Sequence, residues 1–552
     1  MSEKKKLQKF AQDYFEWGYK VVPVTATSLG IHKYDDCLAD YSQAAIKEEI
    51  VCLKTFLRNL KKIDSKKLDV FDQTEYEILL GDLIWSIEEM GKVAYWRKHP
   101  GLYIDEVVWG LFFLTSRQFA PVSKRGKSLL SRMRKAKKVL KEGKKNIKNP
   151  PRVFVEVTIE SVEGGMVFLA TKVEEFANKI KDKRLQEEVL KERDRLVLIF
   201  KDYEVYLKKL LEKAEGKFPI GKKLFEKKLE HQQMLDYTTD ELLKVGWKIF
   251  KDTKKEMEGL VKRINPKKKW PEVIEELQKD YPEERELLLV YKKEIKKLKD
   301  FLAKSKVVPL PEGESLVVME TPESDRAITP YAAYLPPAPF EEKQCGQFWV
   351  TPIDQKLSKT DKIRQLKEHA YWHLPVTVLH ESYPGHHLQL CWANKIDSHI
   401  RKHYSNIPYC EGWALYCEQL MDEVEYLDDP RFKLFRLKDN LWRAARVILD
   451  VSLHTGKMSI EEAVRFFVEK VHLAESCAKA EVRRYTLSPT YPLSYMIGKL
   501  EILNLREEMK KALGKKFSLS KFHKELLERG TIPLKLARRE MIKNLKLKRP
   551  KR

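Results

Sequence analysis

The chain has 552 residues, 43% of them hydrophobic and 34% charged, with 11 Trp and few Gly. That makeup is globular, long enough for a large apolar core, and excludes a disordered chain. Lys and Arg exceed Asp and Glu by 106 − 82 = 24, which keeps nucleic acid or anionic lipid in view as a partner, although charge spread over many helical segments favours a solvated surface and also fits a heat-adapted protein.

Seven cysteines form no C-x-x-C pair, and their odd number points to reduced thiols in a cytosol. The segment from Met1 to Tyr19 is charged and lacks an apolar signal core. The longest apolar runs, such as Val107–Leu114, fall short of the roughly 18 residues that a membrane span needs. The expectation is a soluble cytoplasmic protein that does not cross a membrane.

Hydrophobic periodicity predicts helices over Lys4–Val22, Gln43–Ile63, Gln73–Lys92 and Ile104–Phe119. Lys124–Lys148 holds twelve basic residues against one acid. Its apolar stripe of Leu129, Leu130, Met133, Val139 and Leu140 makes a solvated helix face the better reading than a nucleic-acid face. Pro150-Pro151 breaks the pattern. Helices resume through Val155–Leu211, Tyr237–Ile264, Trp270–Lys279 and Glu283–Leu302. From Val307 the texture changes. Ser315–Met319 and Gln347–Val350 read as strands, and Tyr331–Pro339 as an extended, proline-rich stretch. A small sheet here precedes a histidine-bearing helix, and is either a substrate-holding edge or a plain connecting hairpin. Helix returns from Leu366 to a basic tail, Leu545–Arg552, expected to fray.

The chemistry concentrates in His380-Glu381-Ser382-Tyr383-Pro384-Gly385-His386-His387 and, further on, Glu411-Gly412-Trp413-Ala414-Leu415-Tyr416-Cys417-Glu418. In a straight helix, H-E-x-x-H aims two imidazoles at one ion. Here the step from His380 to His386 is six residues, about 600° of helical rotation, which leaves the rings about 120° apart. Pro384 cannot donate to the carbonyl of His380, and Gly385 tolerates unusual dihedrals, so a bulge over Tyr383–Gly385 is expected to bring His386 back into register. His387 is then either a neighbour that supports the ligands or the second ligand itself; His386 is favoured. Glu381 suits the general base, Glu411 a third metal ligand, and Glu418, on the same helix face as Glu411, a carboxylate that orients a ligating histidine. Three protein ligands leave a position open for water, as in catalytic zinc sites.

These motifs resemble the family known as Domain of Unknown Function 885, with H-E-x-x-P-G-H-H-L-Q matched by His380–Gln389 and E-G-W-A-x-Y-x-E by Glu411–Glu418. The resemblance extends to Gly30–Asp36, Arg117–Pro121, Arg443–Arg446 with Asp450 and His454, Ser494–Gly498, Leu505-Arg506, Phe522-His523 and Gly530–Leu534. Such coverage implies one helical unit over residues 1–552, with a helical half to residue 306 and a metal-site half from 307. It further implies a mainly α fold with a deep cleft, similar to all-helical zinc peptidases such as carboxypeptidase Taq and thimet oligopeptidase. Implied with it are one zinc ion per chain, held by His380, His386 and Glu411, and a short-peptide substrate. Where relatives carry P-G-Q-A-x-S-Y, this chain has Pro489-Thr490-Tyr491-Pro492-Leu493-Ser494-Tyr495, a departure that puts specificity or activity in question.

Peptide hydrolysis needs a donor for the oxyanion, and Tyr485, Tyr495 and His454 are the candidates. Arg443, Arg446 and Arg484 are candidates for gripping a substrate carboxylate, with ion pairs inside the protein as the competing reading. Carboxypeptidase and oligopeptidase both stay open, and a basic nucleic-acid-binding or scaffold protein with a structural metal is the alternative. Nothing in the sequence indicates the oligomeric state.

Overall fold

The computed structural model describes residues 1–321, 326 and 331–547. It is mainly helical, with one three-stranded sheet. Two compact units account for the described residues, one of residues 1–218, 326 and 338–342, the other of residues 219–321, 331–337 and 343–547. Part of the basic tail, residues 548–552, lies outside the described residues.

In the first unit the expected helices are present as Glu3–Val21, Gln43–Leu60, Val70–Glu88, Gly101–Ser116 and Val122–Asn146. The last buries the predicted stripe, with Leu129 and Met133 fully enclosed. Two of its basic residues are not solvated, however. Arg132 is 0% exposed and donates to the carbonyls of Cys37 and Gly110 and to the hydroxyl of Thr27. Arg125 likewise donates to the carbonyls of Ala120 and Leu114. Buried guanidinium groups here spend their donors on backbone oxygens of neighbouring segments, a use of arginine that charge counting does not reveal. Two family-like segments also meet in this unit, where the His32 ring stacks on Phe119 at 3.6 Å and its Nδ1 lies 3.0 Å from Asp35.

The second unit carries the histidine motif. Its sheet has the order β1 (Ser315–Glu320), β3 (Cys345–Val350), β2 (Ala332–Leu335), with β1 parallel and β2 antiparallel to β3. β2 lies within the stretch expected to be extended; its four residues are too short and too closely flanked by prolines to read as a strand. The helix Leu287–Ser305 packs on β1 and β3, and the helices Leu374–Glu381, His386–Asn394, Ile407–Glu423, Pro430–His454, Glu475–Leu487 and Ser494–Leu513 follow the sheet in the chain. The start of Ile407–Glu423 is set by Asn406, whose side chain accepts from the N–H of Tyr409, and by Pro408 in the first turn. This helix and Ser494–Leu513 cross in backbone contact, because Gly412 and Gly498 face each other. A Cβ on Gly412 would fall 2.4 Å from the carbonyl carbon of Gly498.

No helix among the described residues is long and apolar enough to cross a membrane.

Candidate metal centre

The helix Leu374–Glu381 stops where the sequence interrupts it. Ser382 leaves the helical region, the Tyr383–Pro384 bond is cis, and a new helix begins at His386. The expected irregularity is therefore a full break between two helices, not a bulge inside one. Gly385 makes the reversal possible: its N–H donates to the Leu379 carbonyl, and a Cβ there would lie 1.8 Å from the His380 oxygen. The indole of Trp413 holds the break from outside by donating to the Pro384 carbonyl at 2.9 Å.

The break places His380 on the last turn of one helix and His386 on the first of the next, their rings 4.9 Å apart and nearly perpendicular. Ligand atoms of His380, Glu381 and His386 all lie within 4.8 Å of one another. Glu411 joins them from Ile407–Glu423. Its Oε2 is 3.3 Å from His386 Nε2 and 4.0 Å from His380 Nε2. That oxygen is buried and takes no hydrogen bond, whereas Oε1 accepts from the Tyr491 hydroxyl at 2.7 Å. Glu418, two turns along the same helix, accepts from His380 Nδ1 at 2.8 Å. With Nδ1 donating, the neutral His380 ring carries its lone pair at Nε2, the side facing Glu411. Behind His386 stands Cys410, with its sulfur 3.5 Å from Nδ1.

Electrostatics follow from this packing. Burial alone would raise the pKa of Glu411, but His386, His380 and Tyr491 outweigh it and hold it at about 2. Burial would likewise depress His386; Cys410 and Glu411 reverse the sign and keep it well above the ordinary imidazole value. An anionic carboxylate facing two ring nitrogens is the donor set expected for a divalent cation of the zinc type.

Residues 23–541 match the family described as "Bacterial protein of unknown function (DUF885)". The chain belongs to DUF885. No curated protein matches its sequence. Two solved structures share the fold. One, from Shewanella oneidensis and named as a lipoprotein of unknown function, has 25% identity and a TM-score of 0.82, covering 98% of this chain and 100% of its own. The other, from Colwellia psychrerythraea and also named as a lipoprotein, has 21% identity and a TM-score of 0.84, covering 99% of this chain and 100% of its own. An oligoendopeptidase F from Bacillus anthracis aligns at 11% identity with a TM-score of 0.25, too low to bear on fold or function.

In this DUF885 chain His387 turns away from the cluster. Its Nδ1 faces the Tyr334 hydroxyl at 3.0 Å and its Nε2 faces Glu314 at 2.8 Å, so His386 is the histidine brought opposite His380. Glu314 is also paired with Lys299 at 2.6 Å and bonded by the Tyr383 hydroxyl. Sequence reasoning missed Glu314, which stands in a polar loop with no periodic signal. It missed Cys410 as well, though its place next to Glu411 was a hint.

The remaining candidates divide. Tyr495 sits beside Tyr491 with ring centroids 6.0 Å apart, and the Arg446 guanidinium lies 4.7 Å over its ring. Arg446 and Arg484 both pair with Glu481, at 2.9 and 3.0 Å, so the expected fork is tied to an acid of the protein itself. The Tyr485 hydroxyl donates to Glu481 and accepts from Arg446, and is thereby withheld from oxyanion duty. His454 directs Nε2 at the Tyr485 carbonyl at 2.9 Å, and burial lowers its pKa to about 4. Arg443 pairs with Asp439 at 3.1 Å. These five are engaged with other partners, and of the three oxyanion candidates it is Tyr495 that neighbours Tyr491, the residue bonded to Glu411.

Proposed function

We propose that this protein is a zinc-dependent hydrolase of peptide bonds in short peptides, with His380, His386 and Glu411 as the residues that would hold the ion. The observation that carries the reading is the buried, unbonded Oε2 of Glu411, which faces the Nε2 atoms of both histidines. Ligand atoms held this close inside the protein, with Oε2 meeting neither ring in hydrogen-bond geometry, suit a cation placed between them. Bound there, zinc would supply Lewis acidity that makes water nucleophilic near neutral pH and polarises a scissile carbonyl.

The chain's own groups supply the rest. Glu381 is partly exposed beside the two imidazoles and takes no hydrogen bond from the described residues, so its carboxylate can receive a proton from attacking water and return it to the leaving amine. Glu418 fixes the His380 tautomer. Tyr495 is the candidate to donate toward an oxyanion, since its ring neighbours Tyr491, which bonds Glu411, whereas Tyr485 and His454 are bonded elsewhere. A peptide substrate is supported by strand β2, an edge of the sheet whose Tyr334 reaches His387 on the helix that begins with His386. An edge strand can hold an extended backbone by strand addition.

The test is metal analysis of the purified protein together with mass spectrometry of a peptide mixture incubated with it. We expect about one zinc per chain, cleavage abolished by chelation, and a Glu381→Gln variant that keeps the metal but loses turnover by a factor of 10² or more. Full turnover in that variant would rule out the assigned base. Absence of cleavage in a metal-loaded wild type would leave a non-peptide amide or ester as the bond to examine.

A further inference from the structure

The turn between the helices Glu475–Leu487 and Ser494–Leu513 carries a backbone cost. Thr490 has φ of +70°, in a region that β-branched residues rarely adopt, and is fully buried. Four side-chain contacts hold it. The N–H groups of Thr490 and Leu493 donate to the two oxygens of Asp450, each at 3.2 Å. Gln233 Nε2 donates to the Thr490 hydroxyl at 3.2 Å, and the Ser494 hydroxyl donates to the Thr490 carbonyl at 2.8 Å. Asp450 lies on the Pro430–His454 helix, is 0% exposed, and has both oxygens committed to this turn. A fully buried carboxyl group and a strained threonine are two unfavourable features spent on six residues of chain. The residue they deliver is Tyr491, whose hydroxyl donates to Glu411 Oε1 at 2.7 Å. Its ring is flanked by Tyr495 and by the Arg484 guanidinium, 5.9 Å from its centroid.

We propose that Asp450 and Tyr491 are positioning residues for the metal ligand Glu411: the Asp450 clamp fixes the turn, the turn fixes the phenol, and the phenol ties down one carboxylate oxygen so that the other stays aimed at His380 and His386. This rests on the metal-site reading above. The arrangement assigns a role to the stretch in which the chain departs from the P-G-Q-A-x-S-Y pattern. Tyrosine at position 491 is long enough to reach Glu411, and the left-handed conformation at 490 is adopted despite a β-branched side chain there. A carboxylate bonded on one oxygen has lost the rotation that would otherwise oppose ion binding, and such outer support is typically worth 10- to 100-fold in metal affinity.

The experiment is a competition titration of the full chain with Zn2+ against a chromophoric chelator, paired with the visible spectrum of the Co2+-loaded protein, for wild type, Tyr491→Phe and Asp450→Asn. Tyr491→Phe removes a single oxygen. It should weaken Zn2+ binding about tenfold or more and shift the cobalt bands, while the far-ultraviolet circular dichroism of the metal-free protein stays that of the folded wild type. Asp450→Asn, which can satisfy only one of the two N–H groups, should move affinity and spectrum in the same direction. Should it fail to fold, Tyr491→Phe alone decides. Wild-type affinity and an unaltered spectrum in Tyr491→Phe overturn this inference while the metal site stands. A wild type that binds neither ion overturns the metal-site reading and this inference with it.

Discussion

Glu418 shows how much of a site is decided by one residue that would never touch the ion. Its bond to His380 Nδ1 selects the tautomer whose Nε2 faces Glu411. Glu418→Gln keeps the shape but removes the charge and sets an amide against the ring, so zinc affinity should fall 10- to 100-fold in a chelator competition assay. Unchanged affinity would show that the tautomer is fixed by something else. A second consequence at this scale concerns acid stability. Burial would raise Glu481, but Arg446, Arg484 and Tyr485 hold it at about 2; burial would raise Glu314, but His387, Lys299 and Tyr383 also hold it at about 2. Both values lie below the unfolded value of 4.5 given for a glutamate. The folded state therefore favours the ionised forms, and the stabilisation is present above about pH 4.5 and lost as pH falls toward 2. The melting temperature of the metal-free protein should drop across that window, and Glu481→Gln should flatten the drop; an equally steep limb in the variant would place its origin elsewhere. The sequence made His380, Glu381, His386, Glu411 and Glu418 visible because ligand chemistry demands particular side chains at particular steps. It marked Asp450 and the Tyr491 stretch only through the family resemblance, without a role, and Glu314 not at all, because all three act through contacts between segments 40 to 80 residues apart.

Among the elements, the interrupted helix was the most legible. A proline and a glycine inside a two-histidine motif announce a disturbance, and Gly385 is where no side chain fits. What the spacing could not supply was its form. A bulge and a full break both restore His386, and the non-helical backbone at Ser382 and Gly385, braced by the Trp413 indole on the Pro384 carbonyl, makes it a break. Gly385→Ala must displace the His380 carbonyl, because the added carbon would sit 1.8 Å from it. We expect a loss of about 1–3 kcal/mol or more in stability by denaturant unfolding, and zinc binding lost with it. A variant with wild-type stability and affinity would mean that the break adapts easily. The small sheet was legible in two of its three strands. β2 escaped because four residues between prolines carry too little alternation to register.

For the molecule as a whole, the helical class was readable because amphipathic periodicity runs through most of the chain. The division into two units was not, since periodicity reports which face a helix buries and not which helices it packs with. The first unit also takes in the short segment 338–342, far from its main run. The excess of 24 positive charges has one further bearing. Several of these cations are bonded inside the fold, Arg132, Arg446 and Arg401 among them. Others form surface pairs at helical spacing, such as Lys248 with Asp252 and Lys296 with Asp300. Binding to random DNA should therefore be weak and lost between about 50 and 200 mM salt, as fluorescence anisotropy would show. Tight binding that survives 200 mM salt would instead favour the nucleic-acid reading of the sequence.

The crossing of Gly412 against Gly498 bears on thermal motion. The rod that bears Glu411 and the rod that follows the Tyr491 turn touch main chain to main chain, with no compressible side chain between them. Vibration that tilts one must carry the other along, so the acid and the phenol that braces it travel together, and the spacing between them should be among the least temperature-sensitive in the protein.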